Sequence, residues 1–268
     1  MRGRLALVAL IGAALASSAV AEPYNTPTVD GRVTTDPGDW LEDEWVVDDP
    51  GNDCRYYPSD ADLNDLYVTW NGTQLYVGIK TLNGPSDFGN GYLLFVDTDA
   101  QNGITGATDF SSANFYQRQI TFSTMGADVV MGCWNLDIWT MDVRHCSDPL
   151  STTPVSGWAG AVHPGWQHIE LSLPWEGLFG TGPGLVPPGT TLRFISAVVG
   201  GDGSGAYDAM PTSSTGVESD HGTPWNAYTD LDIFFEAIVD GNGDGVPDFA
   251  ASPVGSASWS RLKKFFTE

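Results

Sequence analysis

Towards the C-terminal end, Asp240, Asn242 and Asp244 alternate with glycines in the stretch DGNGDGVPD, which Asp248 closes. Oxygen-bearing side chains at loop positions 1, 3, 5 and 9, with glycine at 6 for the sharp turn, make the first part of an EF-hand-like calcium loop. Val246 would add its backbone carbonyl. The twelfth position is Ala251, where an EF-hand carries a bidentate glutamate, so the pattern predicts weak affinity suited to extracellular calcium. A second stretch, DTDAQNGITGATD, offers Asp97 and Asp99 at the same two-residue spacing, with Asp109 able to close the ring. The stretches at 48–53 (DDPGND) and 58–65 (PSDADLND) are acidic without ordered spacing and read as solvated faces.

Other reactive groups are scattered. His145, His163, His168 and His221 form no His-x-x-x-His pair, and no Gly-x-Ser-x-Gly elbow is present. Asp220, His221 and Trp225 fall together in ESDHGTPW, a cluster able to bind a ligand or to steady its own loop. Among 34 acidic residues no motif singles out a glycosidase pair, and the expectation is a protein that is not an enzyme. Ten tryptophans exceed the ordinary need of a core this size. Trp158, Trp166 and Trp225 lie in Gly/Pro-rich stretches and are the candidate exposed platforms, since an indole face stacks on the C–H face of a pyranose.

The elements that must position these groups are strands. DLYVTW (65–70) and QLYVGIKT (74–81) alternate on either side of Asn71-Gly72-Thr73, a hairpin signal. GYLLFVDTD (91–99) is a continuous apolar run, as a central strand requires. Further strands are expected at 116–122, 128–134, 136–143, 166–173, 191–200 and 231–240. One short helix is expected to start at Pro174. The segment 200–228 is Gly/Ser/Thr-rich without periodicity and reads as a long functional loop. The pattern predicts an all-β fold, an antiparallel β-sandwich (jelly-roll or immunoglobulin-like) of about nine or ten strands.

Residues 1–21 read as a secretory signal peptide: Arg2 and Arg4, an apolar run, then Ala19-Val20-Ala21 as the cleavage pattern. Residues 22–248 form the sandwich with its acidic loop, and 249–268 a linker and short basic amphipathic tail. No later stretch is long and apolar enough for a transmembrane segment. The expected location is secreted or cell-surface. A net charge of −23 repels nucleic acid and anionic membranes and attracts divalent cations. Of Cys54, Cys133 and Cys146, an oxidising compartment would bridge two; Cys133 with Cys146 is the first expectation, with Cys54 as an alternative partner.

Three stretches taken together resemble a known superfamily: VDGRVTTDPGDWLEDEW (29–45) leading into DLNDLYVTWNGTQLYVGIK (62–80), GYLLFVDTDAQNGITGATDF (91–110), and HIELSLPWEGL (168–178). In this order they resemble the DOMON-like β-sandwich superfamily, which includes family 9 carbohydrate-binding modules and the C-terminal domains of glucodextranase-like secreted proteins. The resemblance spans roughly residues 28–240. It implies a sandwich that binds a polysaccharide or cell-surface glycan, or haem in other branches, with Trp40, Trp70 and Trp175 in the scaffold. Glu170 reads as half-exposed on a solvated strand face. The acidic C-terminal loop resembles thrombospondin type 3 repeats. The leading expectation is therefore a secreted, calcium-stabilised, non-catalytic carbohydrate-binding protein. The alternatives are a calcium-stabilised surface or matrix protein without a small ligand, and a haem-binding electron-transfer domain.

Overall fold

The computed structural model describes residues 25–51, 62–82, 89–99, 103–105, 118–148, 151–200, 205–213 and 229–248. The signal-peptide segment, the basic tail, Cys54, Asp109, Asp220, His221 and Trp225 lie outside them. Among the described residues the strands are β1 (Trp45–Asp48), β2 (Leu63–Trp70), β3 (Gln74–Thr81), β4 (Gly91–Asp97), β5 (Ile120–Thr121), β6 (Val129–Trp134) and β7 (Asp142–Asp148). There follow β8 (Ser151–Pro154), β9 (Ala159–His163), β10 (His168–Pro174), β11 (Thr191–Val199), β12 (Ala206–Met210), β13 (Thr229–Asp230) and β14 (Phe235–Ile238). The one α-helix among them, α1 (Trp175–Phe179), starts directly after Pro174.

Two antiparallel sheets pack face to face. The first runs β1-β2-β3-β10-β9 and the second β12-β11-β4-β6-β7-β8, with β14 added on β11. Period-two alternation decides what each face presents. Leu66, Val68 and Trp70 of β2, Leu75, Val77 and Ile79 of β3, and Ile169, Leu171 and Leu173 of β10 point into the sandwich. They meet Tyr92, Leu94 and Val96 of β4, Met131 and Cys133 of β6, and Phe194 of β11. The Asn71-Gly72 hairpin forms as expected: Asn71 Oδ1 accepts from the Thr73 and Gln74 amides and closes the turn.

Neither outer face is bare. Leu93 and Phe95 of β4 and Ile195 of β11 face away from the central core and are covered by Ile104, Ile120, Phe122 and Leu231. Burial on both sides explains why β4 reads as a continuous apolar run. The outer face of the first sheet is covered by residues 25–44, a strap that lays Val33 and Trp40 on Tyr67 and Tyr76. Gly78 makes room for it: a Cβ there would lie 2.9 Å from Val33 and 3.0 Å from the Trp40 indole. Such close approach is what an isolated strand glycine serves.

Several sequence expectations are corrected. Residues 136–143 are not one strand; Asn135 and Leu136 turn the chain at φ 53° and 52°, and a 3-10 helix at Ile138–Thr140 precedes β7. The segment 200–228 is not all loop, because β12 pairs with β11 within it. Cys133 and Cys146 do not pair: they are free, buried thiols on opposite faces of the second sheet, one in the central core and one in the outer cluster. An odd spacing across a strand pair puts side chains on opposite faces, and no rotation of Cβ joins them. Asp49 and Asp62, read as solvated, are 2% and 0% exposed.

Candidate functional site

Glu170 is fully buried rather than half-exposed, and it organises the strap. Its Oε2 accepts the backbone N–H of Asp30 (2.8 Å), Gly31 (2.6 Å) and Arg32 (3.1 Å), and its Oε1 accepts the Trp40 indole N–H (2.7 Å). Burial raises the carboxyl above its ordinary range, while the Trp40 and backbone N–H donors pull the other way. All the partners are donors, the set an ionised carboxylate satisfies. Gly31, at φ +88°, turns the strap against β9, where a Cβ would lie 2.9 Å from the Val162 carbonyl carbon. Two residues before Glu170 on the same face, His168 Nδ1 accepts the Val33 N–H at 3.0 Å. Burial, with Lys80 and His163 nearby, lowers His168 to about 4, so the ring is neutral with its proton on Nε2.

Beside this strap stands Trp166, 49% exposed. It sits in the tight turn between β9 and β10. The His163 carbonyl accepts from the Trp166 and Gln167 amides, and the Gln167 carbonyl accepts from Thr81. Gln167 takes φ 62° to close the loop. The indole is therefore presented from a braced hairpin tip. Its ring centroid lies 6.2 Å from His163 and 5.9 Å from His168, both edge-on, and the Arg32 guanidinium lies 5.6 Å above it. His163, His168 and Lys80 are direct cross-strand partners, so a row of nitrogen bases runs across β9, β10 and β3. Lys80 is itself held by Asp65 at 3.5 Å and by the Tyr67 hydroxyl at 2.9 Å.

The other predicted tryptophan in view, Trp158, is only partly exposed and packs on the central core just before β9. The structure adds one that sequence reading missed. Trp139, on the 3-10 helix beside β9, is 92% exposed. Its loop is tightly stapled: Asp137 Oδ1 accepts the Trp139 N–H, and Thr140 Oγ1 donates to the Asp137 carbonyl while accepting the Trp134 N–H. Trp158 and Trp166 thus flank the edge strand β9, roughly 17 Å long for its five residues. Arg32 and His163 were also not singled out. Their signals were present as the Asp30-Gly31 turn and as His163 and His168 bracketing Pro-Gly-Trp-Gln, a four-residue hairpin loop.

The acidic C-terminal loop ties the two sheets together. Asp240 is buried, and its carboxylate accepts the amides of Gly189, Gly243, Asp244 and Gly245 at 2.8–3.3 Å. Burial raises this group, but those four amides outweigh it and hold the carboxylate below its ordinary range. Asp248 Oδ2 accepts the Gly241 amide, the Asp248 carbonyl accepts the Trp70 indole N–H from β2, and the Gly245 carbonyl accepts Val186. Asn242 and Asp244 each accept one amide two residues on. The oxygens that could face an ion are all hard, as calcium requires, with the Asp244 carboxylate and the Val246 carbonyl the least engaged, while Asn242 Nδ2 donates to Asp248 Oδ1 at 2.7 Å.

The second acidic loop differs. Asp97 lies 3.1 Å from Arg193, which also holds Glu236. Asp128, which sequence reading missed, accepts the Thr98 amide and hydroxyl and approaches the Asp99 amide. Burial raises both Asp97 and Asp128. Among the described residues no three His, Cys, Asp or Glu side chains converge as a ready metal-ligand group, and no helix is long and apolar enough to cross a membrane. No protein-family model matches the chain, and no curated protein matches it.

Proposed function

We propose that this chain is a secreted, non-catalytic carbohydrate-binding β-sandwich, with Trp166 as its sugar platform and calcium as a stabiliser at the Asp240–Asp248 loop. One observation carries the reading. A half-exposed indole is presented from a braced hairpin tip, with the Arg32 guanidinium over its ring and the His163 and His168 imidazoles edge-on to it. That combination suits a pyranose, whose C–H face stacks on the exposed part of the indole while its hydroxyls meet these polar groups. The resemblance to carbohydrate-binding modules of family 9 points the same way. Glu170, the buried carboxylate on the adjoining strand, is fully engaged with N–H donors and is given no acid–base role. The ion is placed at the C-terminal loop because Arg193 already supplies the positive charge beside Asp97.

A glycan array read with calcium, paired with tryptophan fluorescence, tests the reading. Binding to one or more glycans that Trp166→Ala removes would support it. No glycan bound, together with unchanged fluorescence, rejects it. The second reading, a calcium-stabilised surface or matrix protein without a small ligand, is favoured by the way the acidic loop bridges β2 and the segment 186–190 that leads into β11. It gains if the array is silent while calcium still raises the melting temperature.

A further inference from the structure

We infer that the Trp166 platform takes a sugar bearing a single carboxylate, a terminal uronic acid, with Arg32 as its anchor; this rests on the carbohydrate reading above. The key observation is a guanidinium without an ion pair among the described residues of an acidic protein. The chain has 34 acidic residues against 11 Lys and Arg. Lys80 is paired with Asp65, Arg144 with Asp142, and Arg193 with Asp97 and Glu236. Arg32 makes no ion pair among the described residues, although it is exposed and carboxylates abound. Its position is not accidental. Its backbone N–H donates to Glu170 and to Asp30, which fixes the Cα in the strap and leaves the side chain to lie over Trp166. Asp30 is held by that same amide bond rather than by the guanidinium.

The Arg32 Cζ lies 5.6 Å over the indole centroid, within cation–π range. A guanidinium placed there, without an ion pair among the described residues, can grip a carboxylate with two parallel hydrogen bonds. His163 adds a donor: its Nδ1 accepts the Trp166 amide at 3.2 Å, which leaves the Nε2–H for a sugar hydroxyl. His168 is neutral and Lys80 is paired with Asp65, so the charge offered at this corner of the first sheet is that of Arg32. The net charge of −23 limits the ligand. A long polyanion would meet repulsion from the rest of the surface, whereas one carboxylate at a chain end feels mainly the groups within a Debye length, about 8 Å at physiological salt.

The test uses the full chain and two probes: a trisaccharide ending in one uronic acid, and the same trisaccharide with that carboxylate reduced to the alcohol. Affinity is read by calorimetry and tryptophan fluorescence for wild type, Arg32→Gln, Arg32→Lys and Trp166→Ala, with circular dichroism confirming the fold of each. The expected result is about five- to tenfold tighter binding of the acidic probe by wild type. The preference falls to about onefold in Arg32→Gln, is partly kept in Arg32→Lys, and both probes are lost in Trp166→Ala. Equal binding of both probes by wild type overturns this inference and leaves the carbohydrate reading standing. A preference that survives Arg32→Gln overturns the assignment to Arg32. Binding of neither probe, nor of any glycan on the array, rejects inference and reading together.

Discussion

Glu170 and Trp40 lie 130 residues apart in the chain, yet the indole N–H donates to Oε1 at 2.7 Å beneath a strap that covers the first sheet. The same carboxylate holds the turn that carries Arg32, so the candidate binding corner depends on a buried charge several residues away from it. This dependence can be measured.

Glu170→Gln should destabilise the fold by about 2–4 kcal/mol, because an amide NH₂ would face N–H donors and leave them unsatisfied. For a domain of this size the melting temperature should fall by roughly 5–15 °C. Calorimetric scanning checks it. A melting temperature within a degree of wild type would show that the carboxylate does not hold the strap.

His168 should make stability pH-dependent in one direction. Its folded value, about 4, lies below that of free imidazole, so the unfolded chain takes up the proton first as pH falls. The contribution is complete above about pH 6.5 and is lost progressively towards about pH 4. The neighbouring carboxylates Asp65 and Glu170, raised by burial, titrate with the opposite sign. The informative quantity is thus the difference between wild type and His168→Asn, which keeps an acceptor for Val33 without the titration. Wild type should lose ground to the variant on acidification; parallel curves from pH 7 to pH 4 would contradict the assignment.

The acidic loop should separate two effects. Asp240→Asn removes acceptors for backbone amides and should lower the melting temperature even in chelator, by roughly 3–8 °C. Asp244→Ala, whose carboxylate holds only the Val246 amide, should change little in chelator but lose most of the calcium-induced rise. In wild type, calcium at a hundredfold excess over its dissociation constant should add about 2.7 kcal/mol. Superimposable melts of wild type in chelator and in millimolar calcium would remove calcium from the account.

The thiols of Cys133 and Cys146 should be unreactive in the native protein. Burial pushes them up to about 11 and about 12, so almost no thiolate exists at neutral pH. Peptide mapping without reductant should find no bridge between the two. Finding one would mean that β6 or β7 is turned over relative to the sheet described above.

Much of the sandwich was legible in local pattern. Alternation around Asn71-Gly72 marked β2 and β3, and the run at 91–97 marked a strand buried on both faces. The short strands β8, β9 and β12 were not legible, because their Thr, Ala and Gly residues carry little alternation and they pair only through their neighbours' backbones. Trp139 was misplaced for a related reason. Ile138 and Trp139 look like strand residues, but two left-handed residues before them break the strand, and nothing in the local sequence demanded that.

What the sequence determined by itself was a set of short-range facts: the strand period, the Asn-Gly turn, and the oxygen spacing of the Asp240–Asp248 loop. Each depends on residues within a few positions of one another. Only the tertiary structure decided that Glu170 is buried, that Cys133 and Cys146 face apart, and that Arg32 lies on Trp166. Those outcomes follow from which strands become neighbours and which segment covers an open face: Glu170 meets Trp40 and Arg32 across 130 and 138 positions, while the register of β6 on β7 turns Cys133 and Cys146 apart.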